Sequence, residues 1–445
     1  MNLYWKRLFG KIATTSKVEA NFEHRRANYN RYLLISKSKE LAEYNELFKK
    51  VKSPEFKENK RTLISRKYKD TQFYRDMTKF HKLERNSDLH LYYRVLESKE
   101  LKDYLAFKEK PEFVQLGQPK AVKASAELSR LKDFETSKEY KIYTRFHNSY
   151  IVKEYTELKE KVTEPEFVKS NEFWSNKNRW ETTKEYQMEC RYMELYKNDD
   201  IQFYLHQKKG AYDQMEKYDM AFEDTFAGNT LQASAWAFGF AYTNPALVKV
   251  HSLTNENQAN MGGKNISVVN GQLHIATKEK KVDSLAWDAE RGFVQKSYDY
   301  TSDVINCAPK ATIKCGVVSA KMRVSGSHRV EHALWLQGAD KSKQINVAHF
   351  VDGEIELGNY WHSKYEKKYT STRIKGLKTN EFYIYTLMWT EKELVWYIND
   401  FEVFRSSTEV PMCDMAPVFN SFIPAGKDGG EADFEIDFIR ILKIK

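Results

Sequence analysis

The chain has 445 residues, 41% of them apolar, 30% charged and 14% aromatic. That length accommodates two or three domains, the apolar share builds real cores, and 18 Gly with 9 Pro exclude collagen-like and low-complexity classes. The net charge of +10 is uneven: residues 1–70 hold 18 Lys+Arg against 8 Asp+Glu, whereas residues 221–445 hold 26 against 27.

A basic N-terminal segment of this kind can meet nucleic acid, an anionic membrane or an acidic protein; the plainer alternative is a solvated helical surface. Nucleic acid is the weakest of these partners, because nothing but charge speaks for it. The longest uncharged run, residues 225–248, contains Asn, Gln, Gly and Pro and lacks the apolar density of a membrane span. Lys11 interrupts the short apolar stretch after Lys6 and Arg7, and no secretory signal is read. The expectation is a cytoplasmic protein, or one packaged in an assembly. Four Cys, at 190, 307, 315 and 413, make no disulfide framework and imply reduced thiols; Cys307 and Cys315 are the one pair that a hairpin could bring face to face.

Before residue 220 the only glycines are Gly10, Gly117 and Gly210, and Lys, Glu, Leu and Tyr dominate. This favours helices throughout. A degenerate repeat runs through the segment: Ser38-Lys39-Glu40-Leu41, Ser53-Pro54-Glu55-Phe56, Ser98-Lys99-Glu100-Leu101, Ser137-Lys138-Glu139-Tyr140 and Thr183-Lys184-Glu185-Tyr186. Each reads as a helix start. The hydroxyl caps free N–H groups, Pro is tolerated in the first turn, and Glu meets the positive end of the helix dipole. Many starts mean many short helices, each needing to bury a Tyr/Phe/Leu stripe on a neighbour. The prediction is an all-α irregular helical repeat array over 71–221, preceded by the basic helical segment 1–70. Its aromatic stripe reads as core, and its surface as a platform for a protein partner.

From about residue 222 the period falls to two. Val318, Ala320, Met322 and Val324 share one face of a strand, and Ser319, Lys321 and Arg323 the other. Asn270-Gly271 and Asn399-Asp400 each sit between two strand-like runs and predict tight hairpins. Phe382 to Trp389 is apolar on both faces, as in an inner strand. Residues 222–445 therefore predict an all-β antiparallel sandwich or jelly roll, and the whole chain a multidomain protein.

Particular stretches of this half are similar to glycoside hydrolase family 16, the laminarinase-like β-glucanases. Phe222-Glu223-Asp224-Thr225-Phe226 followed by Trp236 resembles the family's opening strand, and Ala333-Leu334-Trp335-Leu336 its Trp-bearing strand. Tyr383 to Thr390 with Trp396-Tyr397-Ile398-Asn399-Asp400 resembles the late hairpin, and Phe434 to Ile441 the closing strand. The resemblance implies a concanavalin-type jelly roll with a polysaccharide groove, for a β-glucan or galactan. It also implies a catalytic strand reading Glu-x-Asp-x-(x)-Glu: nucleophile, assisting Asp and acid/base. Positions i, i+2 and i+4 share a strand face, and an i+5 version needs a bulge.

On that pattern, Gly353-Glu354-Ile355-Glu356-Leu357-Gly358-Asn359 sets Glu354 at the nucleophile position and Glu356 at the Asp. Asn359 then stands at a degenerate acid/base position, where it cannot supply a proton. His362 or Glu366 is the substitute donor available nearby. Trp335, Trp361 and Trp236, with His362, are the expected sugar-binding residues; Trp287 and Trp389 are further groove candidates. The expected function is carbohydrate recognition on a degenerate hydrolase scaffold, a pseudoenzyme. The alternatives are an active retaining β-glycanase with a displaced acid, and a structural assembly protein of a virion or cell surface. No cofactor is read; Asp428-Gly429-Gly430-Glu431 is the one faint candidate for a structural calcium.

Overall fold

The computed structural model describes residues 1–242, 250–338, 342–362 and 366–445. It divides into two compact units, Leu34–His206 and Met1–Leu33 with Gln207–Lys445. The basic segment expected as one piece over 1–70 is thus divided near Leu33, inside the helix Thr15–Ser36.

In the unit Leu34–His206, Ser38, Ser53, Ser98, Ser137 and Thr183 are each an N-cap whose hydroxyl accepts a backbone N–H three residues on. The packing is less local than a repeat array predicts. Helix Lys39–Val51 pairs with Lys184–Tyr196, Gln72–Glu84 with Tyr150–Thr163, and Ser87–Glu97 with Lys138–Phe146. An outgoing row of helices therefore meets a returning row, and the chain reverses around the short helices Pro111–Gly117 and Pro119–Ala124. Each pair buries aromatic stripes together: Tyr44 stacks on Tyr192 at 5.6 Å, and Tyr92 on Tyr143 at 6.3 Å. A helix of nine to fourteen residues is marginal alone, and a partner from the other row supplies the missing apolar surface.

The other unit is a β-sandwich. Among the described residues, an eleven-stranded sheet faces a seven-stranded one, whose spatial order is Lys367–Ile374, Glu354–His362, Lys343–Val351, Glu331–Gly338, Met415–Phe422, Val304–Asn306 and Ala237–Phe238. Both expected hairpins form as two-residue turns with positive φ at both positions, 51° and 73° at Asn270-Gly271 and 47° and 61° at Asn399-Asp400. Val318, Ala320 and Met322 point into the core between the sheets, as their alternation predicts. The two largest fully buried side chains, Trp389 and Trp396, lie there too.

Residues 15–33 lie on the outer face of the large sheet, whereas residues 1–3 bond to the backbone of 373–375 at the end of the small sheet's edge strand, and Leu3 and Ile12 enter the core between the sheets. Leu3 is fully buried, and its N–H donates to the Lys375 carbonyl at 2.8 Å. Val18 packs on Ile384 and Phe438. This explains why the strand Tyr383–Trp389 is apolar on both faces: one side meets the opposite sheet and the other the helix. The rest of that seam is ionic. Glu19 pairs with Lys321 at 2.9 Å, Glu23 with Arg440 at 2.9 Å, and Arg26 with Glu223 at 2.9 Å. Of the N-terminal cations, Arg26 and Arg7 meet carboxylates of the sandwich, Glu223 and Glu381, whereas Glu19 and Glu23 supply the negative partner to Lys321 and Arg440.

Burial of Leu3 makes the N-terminal residues part of this core. Leu3→Ala is expected to lower unfolding stability by about 2–4 kcal/mol, the cost of a large-to-small core change. A melting temperature for the β unit equal to the parent's would contradict this.

Candidate functional site

The open face of the seven-stranded sheet carries the candidate site. Seven strands at about 4.8 Å spacing make a surface roughly 29 Å across. Its central feature is a bulge in the strand Lys343–Val351. Trp335 pairs with Asn346 but Leu334 with Ala348, and on the other side Asn346 pairs with Gly358 but His349 with Glu356. One extra residue at Val347–Ala348 explains both shifts. The result is that Gln344, Asn346 and His349 all face the open side, at positions i, i+2 and i+5, while Ile345, Val347 and Phe350 enter the core.

A bulge leaves ladder groups unpaired. Here Trp396, buried in the core from the opposite sheet, donates its Nε1–H to the Asn346 carbonyl at 2.9 Å. The Gln344 amide donates to Asn346 Oδ1 at 2.8 Å. Beside them Trp335 is half-buried with its Nε1–H on Asn420 Oδ1 at 3.0 Å. On the far side of Asn346, Gly358 leaves the floor low; a Cβ there would stand 2.6 Å from the Ser371 Cβ.

His349 leans towards the middle of the sheet. Its ring stacks on Phe422 at 5.7 Å, and Nε2 lies 2.7 Å from Glu331 Oε2, so that nitrogen carries the donated proton. Lys427 reaches the other Glu331 oxygen at 3.1 Å. Burial works to raise the Glu331 carboxyl, but the His349 hydrogen bond and the Lys427 ammonium outweigh it and hold it below the usual range. Glu356, directly across the ladder from His349, leans the opposite way. It accepts from the Tyr360 hydroxyl on its own strand and from Arg373 Nε at 3.0 Å, on the strand away from His349.

The residues named from sequence separate into two groups. Glu354, Glu356, Trp335 and His362 lie on the open face, Glu354 paired with Lys375 at 2.8 Å and His362 exposed at the strand end. Asn359, Trp361 and Trp236 do not. Asn359 is fully buried on the inward side and donates to the carbonyls of Thr408 and Glu409. Trp361 shares that side by strand alternation. Trp236 is a core residue between Phe222, Phe226 and Phe419, and Trp389 is likewise core. The strand Glu354–His362 pairs with Lys367–Ile374 without a register shift, so its i+5 position turns inward. The signal that sequence reading missed is Gln344-Ile345-Asn346-Val347-Ala348-His349: the motif's spacing with two amides and an imidazole in place of the three carboxylates, nine residues after Trp335.

At the other end of the face, Phe238, Phe240 and Tyr242 border a cavity of about 510 Å³ with Gln337 and Asn306. Gln337 accepts the Ala241 N–H at 2.9 Å, and Phe240 sits 6.3 Å from the Trp335 ring. The neighbouring turn is stitched by Glu256, whose carboxylate accepts from the Leu253 N–H and from Gln258. Burial raises this carboxyl to about 7, against those two hydrogen bonds. Among the described residues no group of three or more His, Cys, Asp or Glu is arranged to hold a metal. Asp428, of the candidate calcium loop, lies 3.7 Å from Arg329 instead. All four Cys are free thiols, and burial pushes Cys307 up to about 12.

Residues 254–440 match the family description "Glycosyl hydrolases family 16". The chain is 22% identical over 267 residues to glucan endo-1,3-beta-glucosidase A1 of Niallia circulans, covering 51% of this chain and 38% of that protein. It is 25% identical over 187 residues to endo-1,3-1,4-beta-glycanase EglC of Rhizobium meliloti, covering 39% and 38%. The chain thus spans well under half the length of these relatives. A laminarinase catalytic domain from Thermotoga maritima MSB8 superposes with a TM-score of 0.42 at 18% identity, over 52% of this chain and 99% of that one.

The site's construction can be tested at two of its supports. Trp396→Phe leaves the Asn346 carbonyl buried without a donor, at a cost of about 1–3 kcal/mol, measurable by denaturant unfolding. Glu256 is neutral in the fold up to about pH 7 but ionises from its ordinary value of 4.5 once unfolded, so its contribution to stability falls as pH rises from about 4.5 to about 7. Glu256→Gln removes that loss. Its melting temperature is expected to exceed the parent's by more at pH 8 than at pH 5; an equal difference at both would contradict the assignment.

Proposed function

We propose, on the premise that residues 254–440 are a glycosyl hydrolase family 16 domain, that this domain holds a polysaccharide across its seven-stranded face without cleaving it. The observation that carries the reading is the bulged strand. Its three open-face positions match the spacing of the family's catalytic motif and hold Gln344, Asn346 and His349.

The chemistry of hydrolysis is missing at each step. Retention needs an attacking carboxylate and, roughly 5–5.5 Å away, a carboxylic acid. A Gln amide carries no charge to attack with, and an Asn amide does not replace the assisting Asp. His349 turns its Nε2 to Glu331, and an imidazole stands where the retaining mechanism uses a carboxylic acid. General acid help is typically worth ~10²–10⁴-fold, and its loss compounds the loss of the nucleophile. The amides, Trp335 and Asn420 nevertheless supply donors, acceptors and a ring face suited to sugar hydroxyls and pyranose faces.

The displaced-acid reading has one favourable feature, the position of His349 across the ladder from Glu356. The two groups diverge: His349 is held towards Glu331 and Phe422, and Glu356 towards Arg373 and Tyr360. The assembly-protein reading has the helical unit as its support and remains compatible with a glycan-binding domain.

The test is calorimetry beside a reducing-sugar assay, using the full chain with laminarin, a mixed-linkage glucan and a neutral galactan. Binding to at least one glycan without product is expected. Turnover abolished by Glu356→Gln would favour the displaced-acid enzyme and sink this reading. The triple change Gln344→Glu, Asn346→Asp, His349→Glu is expected to introduce measurable hydrolysis of whichever glycan the parent binds.

A further inference from the structure

We infer that the edge of this face recognises a sugar unit carrying an oxyanion, so that the bound polysaccharide is acidic. The inference rests on the glycan-binding reading above and adds the ligand's charge.

The site is the open side of the edge strand Lys367–Ile374 and its neighbour Glu354–His362. Strand alternation puts Lys367, Tyr369, Ser371 and Arg373 on that side, opposite His362, Tyr360, Gly358 and Glu356. They border a cavity of about 520 Å³. Tyr360 and Tyr369 stack at 5.7 Å with 27° between their planes, and Tyr369 is 64% exposed. This is an open aromatic step at one end of the face, of the kind on which a pyranose ring can rest. The floor beside it is low because position 358 is Gly.

The charge at this step is positive. Among the described residues lining the cavity Glu356 is the one carboxylate, and both its oxygens are engaged, one by the Tyr360 hydroxyl and one by Arg373. Arg373 is thereby neutralised, and its guanidinium is held more firmly protonated by Glu356. Lys367 is different. Its ammonium lies 5.6 Å from the Tyr360 ring centroid and makes no ion pair among the described residues. A cation with no ion pair among the described residues, beside the half-buried Tyr360 and the exposed Tyr369 and with the lining carboxylate already satisfied, suits a carboxylate or sulfate on a ring-stacked sugar. A neutral sugar leaves that ammonium without a partner.

Calorimetry on the full chain tests this with three oligosaccharides of equal length: a neutral β-glucan, a polyuronate and a sulfated galactan. The expected result is that at least one acidic ligand binds about tenfold tighter than the neutral one at low salt, with the advantage shrinking at high salt. The acidic arm that shows it identifies the oxyanion. Lys367→Glu lies on an exposed edge and is expected to abolish the preference while leaving the melting temperature unchanged. That variant also separates the site from diffuse attraction to a chain of net charge +10. Equal affinity for neutral and acidic ligands, or a preference that survives Lys367→Glu, overturns the inference and leaves the glycan-binding reading standing. Failure of all three ligands to bind the parent overturns both.

Discussion

One residue too many in one strand organises the open face of the sandwich. The bulge at Val347–Ala348 lets Gln344, Asn346 and His349 share a side although their spacing breaks the period of two. It persists because the disturbed ladder finds a donor elsewhere, the Trp396 indole from the opposite sheet. The core and the site are therefore not separable: a Trp that looks purely structural fixes the backbone from which the site side chains project. The regular strand Glu354–His362 has no such device, and its alternation sends Asn359 inward to hold the Thr408 and Glu409 carbonyls.

The N-terminal residues are likewise tied to the sheet they cover. A chain segment with excess positive charge invites a reading in terms of an external polyanion. In the fold, Arg26 and Arg7 meet Glu223 and Glu381, and the sheet's own Lys321 and Arg440 meet Glu19 and Glu23 from the helix. Partly exposed pairs of this kind each contribute little. Their role is to match a polar sheet surface to a helix whose apolar contribution is small and local, such as Val18 on Ile384 and Phe438. Leu3 does the anchoring by burial, and the ion pairs set the register of the helix Thr15–Ser36 on the sheet.

The helical unit separates what a local signal can and cannot specify. A Ser or Thr followed by a charged residue or Pro and then Glu marks a helix start because the capping interaction closes within four residues, and the predicted caps form at Ser38, Ser53, Ser98, Ser137 and Thr183. Which helix then covers each aromatic stripe depends on where the chain reverses. Pairing Lys39–Val51 with Lys184–Tyr196 joins residues far apart in sequence, and no period of the repeat encodes it.

In the β half, alternation at Val318 to Val324, the two hairpin turns and the spacing of aromatic strands are enough to read a jelly roll, because each is a short-range consequence of strand geometry and backbone sterics. Of the residues that reading named, Trp335, Glu354, Glu356 and His362 lie on the open face, and Asn359, Trp361 and Trp236 point inward. For the two residues of the strand Glu354–His362 the cause is register. A bulge shifts every later side chain to the opposite face, and whether a strand is bulged depends on cross-strand partners and on a donor such as Trp396 that lies about fifty residues away. The chain's own residues determined which elements form and that Asn359 cannot serve as an acid; only the tertiary structure decided which strand carries the bulged spacing, because register is a property of the pair and not of either strand.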